Sequence, residues 1–328
     1  MALATDKDGL PLDYGLYKGN QAEGATMVPF VDELKKKFNI KSFTVVADRG
    51  LNSKSNIDSL VKLGDNYVLS SKIRGASDDI KAQVLSEEGR IPMKKVNEDG
   101  EIIDYGWYKE IQTDGPIKYD TPQYVFEKPD GQKEKELEVK LNHEKTPSGK
   151  TVKSKLNRRY IITWTASRAR KDKKDRERLV KKARELVANP ADIKAGFKRG
   201  GRSYVLVDIN AETARIDDTL IAEQSKFDGI HVVETSLTAP ALEVVKIYKN
   251  LWKIEDSFRH LKSSFSARPV YVRLEDHVRG HFLICFLALC LHRFLEYKLK
   301  KENKKATTEQ IIDGLNNALI ALINPAKG

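Results

Sequence analysis

The first seventy residues alternate short apolar runs with turn formers and contain one clear helical stripe. "MALATDKDGLPLDYGLYKGN" predicts two strands joined by a turn at Asp8-Gly9. In "GATMVPFVDELKKKF" the residues Met27, Phe30, Val31, Leu34 and Phe38 recur at helical spacing. The β-branched run "FTVVAD" at 43–48 reads as a buried strand that ends on Asp48. A second helix is expected from Asn56 to Leu63 with Gly64 as its C-cap, followed by the strand "NYVLSS" at 66–71. Strand, helix and strand at this length predict a right-handed βαβ unit with parallel strands.

From about residue 85 to 235 the pattern changes. The strand-like pieces "GEIIDYGWYKEI", "QYVFEK", "RYIITWTA" and "RSYVLVDI" alternate with charged loops and with one basic helical stretch. The turn-rich segment 128–150 reads as a loop. From Thr238 the period is helical again, over roughly 240–265, 275–300 and 307–323. On the first of these, Ile247, Leu251, Ile254, Phe258, Leu261 and Phe265 form one apolar stripe. A second stripe about 100° away carries Tyr248, Trp252, Glu255, Arg259 and Lys262. Glu255 is thereby expected at the edge of the core. The ordinary reading of that carboxylate is an i,i+4 pair with Arg259, leaving Asp256 in solvent.

Composition narrows the class. The chain has 328 residues, 40% of them apolar, which is enough for a full core. The longest apolar run, "FLICFLALCL" at 282–291, is about half of what a membrane span requires. The polar, turn-rich residues 1–20 do not read as a signal peptide. Cys285 and Cys290 both fall in the apolar run and read as buried, reduced thiols, with nothing nearby to complete a metal-ligand set. A cytoplasmic, nucleoid-associated protein without a membrane partner is expected.

Charge changes the picture more. The net charge is +11, but residues 145–202 hold 20 Lys and Arg against 5 Asp and Glu, a net of +15, so the remainder is at −4. A solvated helix face accounts for individual lysines in "SRARKDKKDRERLVKKARELV" (167–187), which also has acid–base pairs at helical spacing. It does not account for the segment as a group, which points to a polyanion such as DNA. Arg168, Arg170, Lys173 and Lys174 are the candidate contacts.

Asp48 at a strand end and Glu255 on a packed helix are the residue types that hold divalent metal for phosphodiester chemistry. With these pieces in view, the chain resembles the DDE transposases of bacterial insertion sequences, in the ribonuclease-H-like integrase superfamily. More narrowly, it is similar to the branch with a Tyr–Arg–Glu–Lys signature and a β-rich insert. The matching stretches are "DGLPLDYGLYKGN", "VVADRGLNS", "FDGIHVVETS", "YKNLWKIEDSFRHLKS" and "RGHFLICFLALCLHRFLE". The resemblance implies a mixed α/β fold divided into three parts. Residues 1–84 would be the first part of the ribonuclease-H-like core, 85–237 a β-rich basic insertion, and 238–328 the helical remainder of the core.

It also implies Asp48 as the second catalytic aspartate and Glu255 as the catalytic glutamate, both ligands of Mg²⁺ or Mn²⁺. Tyr248 and Lys262 would contact the transposon end. The signature arginine is replaced by Leu251, whose phosphate contact Arg259 or Lys253 would have to supply. Trp107 and Trp164 are candidates to receive a flipped base, although packing is the ordinary reading of each. Partners would be double-stranded DNA and a second copy in a homodimeric synaptic complex.

The resemblance calls for a third carboxylate on a strand preceding the first hairpin. Asp6, Asp8 and Asp13 are poorly placed to substitute, so that aspartate and its strand are expected upstream of Met1 and this chain to be a fragment. Two readings follow: a transposase polypeptide inactive alone, or a non-catalytic DNA-binding remnant that modulates full-length transposase. A stand-alone ribonuclease-H-like nuclease would leave the insert and the signature unexplained.

Overall fold

The computed structural model describes residues 1–19, 23–96, 100–119, 152–188, 203–208 and 213–318. The chain divides into two compact units, Met1–Ile40 with Lys249–Gly328, and Lys41–Tyr248.

The Lys41–Tyr248 unit is built on a six-stranded mixed sheet. The strands are β3 (Thr44–Ala47), β4 (Asn66–Ser70), β5 (Ile91–Val96), β6 (Ile102–Tyr119), β7 (Val152–Thr165) and β10 (Ile230–Thr235), in the order β3-β4-β10-β7-β6-β5. β3 and β4 are parallel, with Val46 opposite Val68, and α2 (Lys54–Lys62) crosses between them as the sequence predicts. Ser53 caps α2 by accepting a bond from the Asn56 N–H, and Gly64 follows the helix with a φ of +72°. β10 pairs antiparallel with β4 on one side and with β7 on the other.

Successive residues on these strands face opposite layers. Val233 and Ile161, opposite one another, join Val68 under α6 (Ala241–Lys249) at Val244 and Val245. Their neighbours Val232 and Ile162 join Tyr160, Ile73, Val84 and Phe227 on the other face. Both faces are covered, which is why Val232 and Val233, and Ile161 and Ile162, are apolar in succession rather than in alternation. Beyond Gln112 and Arg159, β6 and β7 continue as a two-stranded ribbon to Tyr119 and Val152.

Charge is buried in this sheet. Glu234 is 0% exposed and accepts two bonds from Arg158, at 2.5 and 2.6 Å. Burial, followed by the Glu234 charge, pushes the Tyr67 and Tyr160 phenols above their usual range. The Arg158 guanidinium lies 5.1 Å from the Tyr160 ring centroid. On the periphery, α4 (Ala166–Ala188), α5 (Asp218–Ser225) and the hairpin of β8 (Val205–Asp208) and β9 (Thr213–Ile216) enclose Val180, Ala183, Tyr204 and Val205.

Several elements differ from the expected pattern. α3 (Asp78–Leu85), β5, β9 and α5 were not anticipated, because each buries little: α3 buries only Val84 and α5 nothing. The expected strand "QYVFEK", the loop 128–150 and the end of the last helix lie outside the described residues. The helix expected over 240–265 is two helices, α6 and α7 (Trp252–Ser263). Between them the ladder lapses to i→i−3 bonds, from Lys253 to Asn250 and from Ile254 to Leu251, at 3.0 Å each. Asn250 is a poor helix former, and apolar spacing does not register that weakness.

The other unit contains the hairpin of β1 (Ala2–Thr5) and β2 (Pro11–Gly15), α1 (Met27–Phe38), α7, α8 (Glu275–Lys301) and α9 (Thr308–Asn316). The hairpin turn is fixed by Asp6, whose Oδ1 accepts the N–H groups of Asp8 and Leu10 at 2.8 Å, with Gly9 at φ +89°. Leu3, Leu261, Ala267, Cys285 and Leu289 form the core, with Tyr14, Phe258 and Phe286 packed against it. α8 is long and apolar enough to cross a membrane by length and composition. Here one stripe, Cys285, Leu289 and His292, is buried, whereas Ile284, Leu287, Leu291 and Phe294 are exposed. Both cysteines are free, Cys285 buried and Cys290 half-buried.

The buried ion pair makes a first prediction. Arg158→Leu strands the Glu234 carboxylate and should cost about 3–5 kcal/mol in chemical denaturation. The double change Arg158→Leu/Glu234→Leu should recover most of that loss. A single variant as stable as the parent would show that the pair is not desolvated.

Candidate functional site

Asp48 directly follows β3, at the C-terminal end of the parallel β3–β4 pair. The loop folds tightly here because its Oδ1 accepts the Gly50 N–H at 2.8 Å, and a Cβ at Gly50 would come within 3.0 Å of that oxygen. The carboxylate is exposed. Further along the loop, the Asn52 amide donates to the Ser70 carbonyl at the end of β4 (2.9 Å), tying the loop to the neighbouring strand.

Tyr248, near the end of α6, lies in the same unit as Asp48. Its ring centroid is 4.9 Å from that of His231 on β10, and His231 Nε2 is 3.3 Å from Ser70 Oγ. Ser70 therefore touches both the loop that begins at Asp48 and the ring that braces Tyr248. Neither Ser70 nor His231 was singled out in the sequence. They come from separate strands, so no spacing links them.

Glu255 lies in the first turn of α7 and belongs to the other unit. The ordinary pairing with Arg259 does not form: Arg259 is 3.3 Å from Asp256 instead. Asp256 is not in solvent either. It accepts a bond from Arg293 at 2.7 Å and lies 3.3 Å from His260, and Arg293 also bonds Ser257 Oγ and Glu296. Burial works against ionisation of Asp256, but the Arg293 bond and charge prevail and hold its carboxyl below the usual range. These neighbours satisfy one another on the inner side of α7. Glu255 is left exposed, with no ion-pair partner among the described residues. Lys262, two turns further on, is exposed as well. Because Tyr248 is on α6 and Glu255 on α7, the signature is not one helical stripe.

The other candidates sort by contact. Lys253, one possible replacement for the missing signature arginine, donates to the Lys7 carbonyl at 2.8 Å and braces the hairpin turn. Trp164 donates from Nε1 to the Asp228 carbonyl (3.0 Å) and stacks at 6.4 Å on Trp107, which is covered by Arg90 at 4.4 Å. Both indoles are packing residues. A Cβ at Gly229 would meet Trp164 at 2.5 Å and Ala169 at 2.8 Å, so this glycine permits the close docking of α4.

Ala169, Asp172, Arg176, Val180 and Ala183 are the docking side of α4: Asp172 accepts the Gly229 N–H and Arg176 pairs with Asp228. Outward stand Arg168, Arg170, Lys171, Lys173, Lys174, Arg178, Lys181, Lys182 and Arg184, all exposed. Of these, only Arg168 and Arg178 have carboxylate partners among the described residues, both within the helix.

Whether these residues suit a divalent cation rests on donor chemistry. No three His, Cys, Asp or Glu side chains gather into an ion-binding cluster among the described residues. Asp48 and Glu255 are exposed oxygen donors not consumed by ion pairs, and Mg²⁺ is commonly held by one or two carboxylates plus substrate phosphates. Each side chain by itself is of the donor type such an ion takes.

The inner side of α7 makes a second prediction. His292 is 3% exposed, its ring centroid 5.0 Å from that of His260, with Arg293, Asp256 and Glu296 around it. Burial lowers its pKa from 6.5. A histidine held neutral by folding gives stability that is full above about pH 6.5 and lost as pH falls towards the depressed folded value. Thermal unfolding of the parent chain should thus weaken between pH 7.5 and 5.5, and His292→Gln should flatten that dependence. Equal slopes in both proteins would remove the histidine from the account.

No protein of curated function matches the chain. A family model, described as the transposase DDE domain, matches residues 1–291. The mixed α/β sheet accords with a ribonuclease-H-like core, and the chain belongs to the DDE transposase family.

Proposed function

We propose that this chain binds double-stranded DNA of transposon ends through α4 and the α7 signature, and that alone it does not cleave that DNA. The observation that carries the reading is the outer face of α4. Seven exposed cations on it lack a carboxylate partner among the described residues, along a helix about 35 Å long. Cations placed this way neutralise phosphates and release counterions without reading sequence. Tyr248, Arg259 and Lys262 would add contacts near the reacting strand.

Asp48 and Glu255 serve in this reading as carboxylate ligands of Mg²⁺ or Mn²⁺. When bound, such ions activate the attacking oxygen and stabilise the leaving one in phosphodiester cleavage and strand transfer. The protein's own part is to hold the two carboxylates in place. The Gly50 N–H and the Asn52 tether do this for the Asp48 loop, and the Asp256–Arg293 pair does it for α7. Among the described residues no cluster of three potential metal ligands forms. Asp6 is occupied by its own turn and Asp13 is paired with Lys37 at 2.7 Å. Asp8 lies exposed in that turn.

The second reading is a non-catalytic polypeptide that modulates a complete transposase. Homodimer formation in a synaptic complex belongs to the same proposal. Purified chain should bind duplex DNA in EDTA, with affinity falling steeply between about 50 and 200 mM salt, and should show no nicking with Mg²⁺ or Mn²⁺. Metal-dependent nicking abolished by Glu255→Gln would reveal a third ligand and overturn the non-catalytic reading. Charge reversal at Arg168, Arg170, Lys173, Lys174 and Lys182 should weaken duplex binding by about a hundredfold or more. Unchanged affinity would move the DNA path off α4.

A further inference from the structure

Three cations from three separate stretches of one unit line a single cavity of about 300 Å³: Lys18 after β2, Lys262 in the last turn of α7, and Arg268 in the link from α7 to α8. All three side chains are exposed, and none has an ion-pair partner among the described residues. The Glu275 carboxylate feels the Lys18 charge but is already bound to Arg279 at 2.8 Å. Like charges gathered round one cavity repel unless an anion sits among them. Phe258 and Phe282 form apolar walls of the same cavity. Tyr17 also lines it, its phenol pushed up to about 12 by burial and then by Glu33, so it remains a hydrogen-bond donor at neutral pH.

An inorganic anion would leave the aromatic walls without a partner, and an apolar ligand would leave the three cations unmet. A nucleotide offers both a phosphate and a flat apolar ring. We propose that this cavity grips one phosphate group of a nucleic-acid strand, with Lys18 and Arg268 acting beside Lys262 and the two phenylalanines flanking the attached sugar and base. The inference rests on the DNA-binding reading above and adds to it Lys18, Arg268 and the cavity. Lys262 follows Glu255 by seven residues, two turns or about 10 Å along α7. A phosphate held here would anchor the strand close to the Glu255 carboxylate. The phosphate has two possible sources, an internal phosphodiester or a terminal 5′-phosphate.

The test uses the full chain in EDTA and fluorescence anisotropy with labelled hexathymidylate, one form carrying a 5′-phosphate and one a 5′-hydroxyl. Lys18→Glu and Arg268→Glu should each weaken binding at least fivefold. Lys300→Glu, an equal charge change on exposed α8, should stay within twofold of the parent. Unchanged unfolding midpoints would show that the variants fold. A fivefold preference for the 5′-phosphorylated form supports the proposal and assigns a strand end. Equal binding of both forms, still sensitive to Lys18→Glu and Arg268→Glu, supports it and assigns an internal phosphate. Parental affinity in both cavity variants, or an equal loss in Lys300→Glu, overturns it. The α4 charge-reversed variant separates the two readings: loss of duplex binding with hexathymidylate binding retained leaves both standing, whereas retained duplex binding sinks only the α4 path.

Discussion

Strand β10 has to complete two ladders at once. It lies between β4 and β7, pairing Val233 with Ser70 on one side and with Ile161 on the other, although these partners are separated by about ninety residues of chain. Without it, the parallel pair that carries Asp48 and the long antiparallel pair that supports α4 would be separate sheets with bare edges. The same strand places Glu234 against Arg158 and His231 beside Tyr248. Alternate residues along it therefore do different work: Val232 and Val233 fill the two cores, Glu234 carries buried charge, and His231 braces the tyrosine.

The local elements were legible where one residue pattern decided them. The Asp8-Gly9 turn, the stripe of α1 and the run of β3 each reflect neighbours in sequence and appear where expected, although β3, read as a buried strand, is terminal in the sheet order and buries only Ala47. Asp48 at the end of β3 was legible for the same reason. What sequence could not supply was anything fixed by partners far along the chain. Weakly buried elements such as α3 and α5 give no periodic signal, and the Asn250 break is a lapse of hydrogen bonding inside an unbroken apolar pattern. Glu255 was legible by spacing, but its surroundings were not. Asp256 was expected in solvent and is instead bound to Arg293, thirty-seven residues away.

That network shows how α7 keeps one carboxylate exposed while burying its neighbour. Arg293 satisfies Asp256, Ser257 and Glu296 together, so the inner side of the helix is occupied without drawing on Glu255. Removing Asp256 would leave the half-buried Arg293 guanidinium short of a carboxylate, and Glu255 is the other carboxylate on α7.

The outer half of the β6–β7 ribbon has a different latitude. From Thr113 to Tyr119 and from Val152 to Arg158 the two strands pair only with each other among the described residues. Adding or deleting one residue on both strands there would leave the packed region upstream in register, because no third strand among the described residues counts the steps. A single unmatched residue within 159–164 would instead turn Ile161 and Ile162 to the wrong faces. Relatives of this chain can therefore be expected to differ in arm length at that distal end, while the stretch beside β10 keeps a fixed count.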